Sequence, residues 1–100
     1  MTVKLSGKNK EVFLMNNLKK NGWKYLKDKD AICKNFEFNN FIEAFAWMTK
    51  VAIYAEKINH HPEWSNVYKS VKVILTTHDC GGLSDLDLKM AEKIEEFMNS

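Results

Sequence analysis

One hundred residues, 45% of them hydrophobic and 28% charged, suffice for one compact domain over residues 1–100 and leave no room for a second core. Fifteen basic residues against thirteen acidic leave a net charge of +2, and the lysines are interspersed with acids, so no electrostatic footprint for direct nucleic-acid binding is expected. Two cysteines without a CxxC pair, Cys33 and Cys80, exclude a disulfide framework and read as reduced thiols.

The first segment, MTVKLSGKNKEVF, lacks an apolar targeting core, and no stretch reaches the length of a membrane span. A cytoplasmic address with no membrane partner is the expectation, the nucleus also being open to it. Ser6 is a candidate N-cap for a first helix running to about Asn21, with Val12, Phe13, Met15 and Leu18 at helical spacing and Asn21-Gly22 as its stop. Trp23–Lys27 and Ala31–Phe38 both alternate, the second with Ile32, Phe36 and Phe38 on one face. The polar Lys27-Asp28-Lys29-Asp30 between them predicts a hairpin.

Asn39-Asn40 precedes the longest periodic stretch, in which Phe41, Phe45, Met48, Ala52 and Ala55 recur at steps of three or four. This predicts a helix to about Asn59 with those residues toward the core. Trp47 and Tyr54 lie seven apart on another flank, a second strip suited to a subunit contact or to burial in the same protomer. With twelve aromatic residues in so small a chain, self-association into a homodimer or homotetramer is expected. Pro62 cannot continue the helix, and strand character resumes at about Asn66. Val67-Tyr68 reads as a short strand, followed by one in which Val71, Val73 and Leu75 alternate with Lys72, Ile74 and Thr76. Gly81-Gly82 breaks that strand. Ser84 caps a last helix whose apolar face is Leu88, Ala91, Ile94 and Met98. The order αββαββα predicts an α+β fold, a four-stranded antiparallel sheet with three helices packed on one face.

All three histidines fall at element boundaries: His60 and His61 where the long helix stops, His78 where the last strand stops. Imidazoles titrate near neutral pH, so such a cluster suits acid-base work, and element ends are where sites collect. A zinc reading with Cys80 meets the objection that adjacent histidines project apart, whereas metal-binding helices space theirs by four. Each residue also has a purely structural reading. His60 favours the negative end of a helix, and His61-Pro62 can be turn. Asp87, three after Ser84, can complete a capping box, and Glu56 can be a solvated helix residue or an i, i+4 partner.

The stretch Glu56–Asp87 closely resembles the signature of the pterin-4a-carbinolamine dehydratases, EKxxHHPxW, then NVY, L-x-TH, GL and a downstream Asp. His60, His61, Pro62, Trp64, Asn66, Val67, Tyr68, Thr77, His78, Gly82, Leu83 and Asp87 all match at the family's spacing. The likeness continues through Gly22-Trp23 and the Phe-rich start of the long helix. It implies the αββαββα fold, and dehydration of 4a-hydroxytetrahydrobiopterin to quinonoid dihydrobiopterin and water in tetrahydrobiopterin recycling, without metal or cofactor. It further implies His60 and His78 as the proton-transfer pair, and His61 as a substrate-binding residue that shares the acid role. Asp87 would orient His78. Pro62, Thr77, Asp79, Cys80 and Glu56 would contact the pterin, with Trp64 at the rim. Animal relatives also serve as dimerisation cofactors of a homeodomain transcription factor, which makes a protein-binding module on the long-helix surface the alternative.

Overall fold

The computed structural model describes residues 3–16 and 20–99. Helix α1 spans Gly7–Leu14, strands β1 and β2 span Lys24–Leu26 and Ala31–Glu37, and helix α2 spans Phe41–Ile58. Strands β3 (Glu63–Val67) and β4 (Ser70–Leu75) follow, then a 3-10 turn at His78–Cys80 and helix α3 at Asp85–Met98. All neighbouring strands are antiparallel in the order β1-β2-β4-β3, so β3 lies at the edge opposite β1 and α2 carries the chain across. The fold is α+β, as the order of elements predicts.

Pleat alternation decides which residues enter the core. Register pairs Ile32 with Leu75 and Phe36 with Val71, and these side chains, with Val73 and Trp64, point toward the helices. Val71, Val73 and Leu75 have no exposed surface, each worth about 1.5–3 kcal/mol in burial. Phe13 of α1, Ala44, Trp47 and Val51 of α2, and Met90, Ala91 and Ile94 of α3 complete the same cluster. Lys34 shares the inward face but lifts its ammonium to Glu95 of α3 at 2.6 Å, where the Trp23 indole N–H also donates at 3.0 Å.

Four expectations are corrected. The core face of α2 is Ala44, Trp47, Val51 and Ala55, while Phe41 and Phe45 are about half exposed at 46% and 55%, and Ala52 is exposed. Trp47 therefore belongs to the core, its ring 4.8 Å from Phe36 and its N–H donated to the Ile94 carbonyl, and Tyr54 is half-buried under Lys93. Strand β3 begins at Glu63, directly after Pro62, because Trp64 opposite Val73 contributes to the core. Strand β4 ends at Leu75, well before the glycines. Ser6 has the extended backbone of an N-cap, yet its side chain makes no capping bond, and α1 ends at Leu14. Met15 and Asn16 continue in π-helical turns, and Lys20 and Asn21 are helical before Gly22, whose φ of 79° makes it the expected stop, while Leu18 lies outside the described residues.

Candidate active site

The end of α2 aims His60 inward. Asn59 takes a left-handed backbone, φ 53°, and the His60 N–H reaches back to the Ala55 carbonyl at 3.0 Å, the six-to-one bond of a Schellman turn. The chain reverses over the core instead of running into solvent, and His60 ends only 8% exposed. The other side of the site comes from the loop after β4. Thr77 and Gly82 exchange backbone bonds at 2.9 and 3.1 Å, closing a loop that lifts His78, Asp79 and Cys80 on one 3-10 turn.

Between these elements lies a cleft of about 200 Å³ lined by Asn59, His60, His61, Thr76, Thr77, His78, Asp79 and Leu86. Larger hollows elsewhere, about 370 Å³ beside the end of α3 and about 540 Å³ against α1, are lined by no histidine and no other group expected to do acid-base work. Of the residues singled out in sequence, His60, His61, Thr77, His78 and Asp79 meet in the small cleft. Asn59, Thr76 and Leu86 line it without having been singled out. Cys80 turns its thiol into the loop, donating to the Gly82 carbonyl at 3.4 Å, and Pro62 is half-buried beside the cleft's His61 without lining it.

Asp87 is fully buried and meets His60, not His78: its Oδ1 lies 2.7 Å from His60 Nε2. Its Oδ2 accepts from the Ser84 N–H at 2.9 Å and from the Thr77 hydroxyl at 2.8 Å. The capping-box expectation therefore holds as well, since Ser84 and Asp87 cap α3 reciprocally. Hydrogen positions follow from the network. Thr77 spends its one proton on the carboxylate, so Ser84, 2.6 Å away, donates to Thr77 and accepts the Leu86 N–H at 3.2 Å. An ionised Asp87 can only accept, so His60 carries its proton on Nε2 and leaves Nδ1 as the nitrogen able to take one.

The other two imidazoles are accessible, and each has a carboxylate. His61 Nε2 is 2.6 Å from Glu56 Oε1, with side chains 53% and 81% exposed, so the pair is solvated and adds little stability. His78, 81% exposed, lies 3.3 Å from Glu63 Oε2. Glu63 went unnoticed in the sequence; only the β3–β4 register, Glu63 opposite Ile74, brings it near the end of β4. Among the described residues, no group of three His, Cys, Asp or Glu side chains is arranged to hold a metal ion. Asn66 of the signature serves the hairpin, its amide donating to the Tyr68 and Ser70 carbonyls at 3.0 Å each.

Comparison with known proteins places the chain among named relatives. A protein of Roseobacter denitrificans named "Putative pterin-4-alpha-carbinolamine dehydratase" is 57% identical over 97 residues, 97% of this chain and 98% of its own. A protein of the same name from Ruegeria pomeroyi is 58% identical over 84 residues, 84% of this chain and 87% of its own. The crystal structure of a transcriptional coactivator/pterin dehydratase from Brucella melitensis superposes with a TM-score of 0.87 at 38% identity, covering 94% of this chain and 97% of that one. The model of the pterin 4 alpha carbinolamine dehydratase family matches residues 4–97, and the chain belongs to that family.

Proposed function

We propose that the chain, acting as one domain in the cytoplasm, dehydrates 4a-hydroxytetrahydrobiopterin to quinonoid dihydrobiopterin and water in tetrahydrobiopterin recycling. Membership of a dehydratase family makes it an enzyme, a hydro-lyase. The observation that carries the mechanism is His60 held by buried Asp87 in a cleft also lined by His61 and His78. His60 Nδ1 takes the proton from N5. The N–H electron pair becomes the N5–C4a double bond as the C4a–O bond breaks, and His78 protonates the departing hydroxyl. His61, beside Glu56, binds the substrate and shares the acid role, and the backbone and side chain of Asp79 meet the pterin heteroatoms, with Thr77 as a wall of the cleft whose polar groups are already paired and Pro62 and Cys80 at the margin.

No electrons are transferred and no strong nucleophile is made, so the reaction needs neither metal nor organic cofactor. Each positioned proton transfer is worth roughly a hundred- to ten-thousand-fold. After the product leaves, His60 gives its Nδ1 proton to water in the cleft it lines and exposed His78 regains one from solvent, so the protons balance and the site is reset. The test is acceleration of 4a-hydroxytetrahydropterin dehydration by the purified protein, with and without chelator. His60→Ala and His78→Ala should each cut kcat at least about a hundredfold with unchanged circular dichroism. Full activity in both variants would overturn the assignment, and loss on chelation with recovery on zinc would overturn the metal-free chemistry.

A second reading is favoured by the surface of α2. Phe41, Ile42, Phe45 and Ile53 are 46–78% exposed, and the Phe41 and Phe45 rings lie 5.6 Å apart. This strip suits association into a homodimer or homotetramer, or a helix of a protein partner, in keeping with the coactivator role named for the Brucella protein. A partner helix that displaces the homo-oligomer in solution would establish the binding role; sedimentation as a monomer that binds no such helix would remove it.

A further inference from the structure

The loop that carries His78 is tied at both ends to one residue of the β1–β2 turn, Asp30. At its start the Thr76 hydroxyl donates to the Asp30 carbonyl at 3.1 Å, and at its finish the Leu83 N–H donates to Asp30 Oδ2 at 3.3 Å. Gly82 passes so close that an added Cβ would sit 2.1 Å from that same oxygen, so the carboxylate occupies the space a side chain would need. The other carboxylate oxygen is held from outside the loop, by the Tyr25 hydroxyl and the Lys10 ammonium, each at 2.5 Å. Asp30 itself has a left-handed backbone, φ 49°, a conformation Asp and Asn tolerate better than most residues.

The pair Thr77–Gly82 closes the loop on itself but does not fix its tilt against the sheet. Asp30 adds that constraint, because it joins residues on both sides of that pair to the β1–β2 turn and, through Lys10, to α1, alongside the Leu5 N–H bond to the Leu83 carbonyl that holds the loop's far end. We propose that Asp30 is a positioning residue for the reaction, holding the Thr76–Leu83 loop so that His78 faces the substrate across from His60. The inference rests on the acid-base reading of His78 given above. Burial pushes the Asp30 carboxyl upward, but the bonds from Lys10, Tyr25 and the Leu83 N–H outweigh it and hold it below the usual carboxylate range. The clamp is therefore charged throughout the neutral range.

Asp30→Gly removes the carboxylate without straining the left-handed backbone, and Asp30→Asn keeps an oxygen able to accept from Leu83. Dehydratase kcat/KM is compared for wild type, Asp30→Gly, Asp30→Asn, His78→Ala and the Asp30→Gly/His78→Ala pair. A charge-assisted anchor acting through His78 predicts a loss of about tenfold for Asp30→Gly, less than about threefold for Asp30→Asn, and less than about twofold for Asp30→Gly in the His78→Ala background. An equal loss in both backgrounds, or none in either, overturns the proposal. His78→Ala with full activity would instead overturn the acid-base reading.

The loop can be read without activity through alkylation of Cys80 by iodoacetamide, with half-buried Cys33 of β2 as internal reference. Faster labelling of Cys80 alone in Asp30→Gly supports the clamp. No change, or equal acceleration of both thiols, overturns it. Were Asp30→Gly unable to fold, Gly82→Ala, whose Cβ would displace the Asp30 carboxylate, takes its place in both measurements with the same expected outcomes.

Discussion

Asp87 and His60, 27 positions apart in sequence, meet in the interior with Oδ1 2.7 Å from Nε2, and the same carboxylate caps α3 and receives the Thr77 hydroxyl. One buried acid thus links a helix start, the loop after β4 and the candidate base. Asp87→Asn cannot satisfy all three partners. Its amide nitrogen donates, so either His60 must change tautomer or the Thr77 and Ser84 donors lose their acceptor. A fall in kcat of at least about a hundredfold is expected, with KM changed far less. Leaving buried donors unpaired also costs about 1–3 kcal/mol, readable as a lower urea midpoint. An Asp87→Asn protein with wild-type kcat would show that the tautomer of His60 is unimportant.

His60 reaches Asp87 only because Asn59 turns the chain in the left-handed region. Asn59→Gly should keep both stability and activity, since glycine adopts that conformation without strain. Asn59→Val should lose about 1–2 kcal/mol of stability. It should lose activity out of proportion, because the Schellman bond from His60 to Ala55 and the aim of the imidazole fail together. Equal activity of the two variants at a temperature where both are folded would separate the turn from the catalytic geometry.

The two faces of α2 make opposite demands. Trp47, 4% exposed and stacked among Phe36 and Phe38, should cost about 3–5 kcal/mol when replaced by Ala. Phe45→Ser, on the outer strip, should change protomer stability by less than about 0.5 kcal/mol while weakening self-association, as followed by sedimentation over a concentration series. A stable Trp47→Ala beside an unfolded Phe45→Ser would reverse the faces.

The same helix marks where sequence reading stops. Its existence and length were plain from the apolar recurrence, as were the hairpin, strand β4 and the Ser84–Asp87 cap, all of them local patterns. Which side of α2 faces the sheet was not plain, because Phe41, Ile42, Phe45, Trp47, Val51, Ile53 and Tyr54 surround it, and a helix apolar nearly all round has no single periodic solution. In the site, the histidines and Asp87 could be nominated from the resemblance. Their pairing could not, since Asp87 to His60 and Glu63 to His78 depend on a left-handed turn and a strand register rather than on spacing. Asn59, Thr76 and Leu86 carry no chemical signal and enter the cleft only through the fold.

Asp30 and Lys10 also give stability a defined pH dependence. The Asp30 carboxyl is held below its ordinary 3.8, burial being outweighed by the bonds from Lys10, Tyr25 and Leu83. The Lys10 ammonium is held above its ordinary 10.5, first by its bond to Asp30. As pH falls through 3.8 the unfolded chain takes up the Asp30 proton before the folded one, so the contribution of Asp30 is lost until the folded carboxyl also protonates, and is level below that. As pH rises past 10.5 the unfolded chain releases the Lys10 proton first, so the contribution of Lys10 shrinks until the folded ammonium also deprotonates. Between these limits both contributions are fully present. Urea midpoints of wild type minus Asp30→Asn should therefore be constant across the neutral range and shrink below the ordinary carboxylate value. Lys10→Met, which removes one partner that lowers the Asp30 carboxyl, should show a loss of difference at both ends, in acid as Asp30 protonates and in alkali as Lys10 deprotonates. A difference for Asp30→Asn that persists unchanged well below pH 3.8 would mean that the ion pair with Lys10 does not set the Asp30 contribution, and that the carboxyl acts through shape and neutral hydrogen bonding alone.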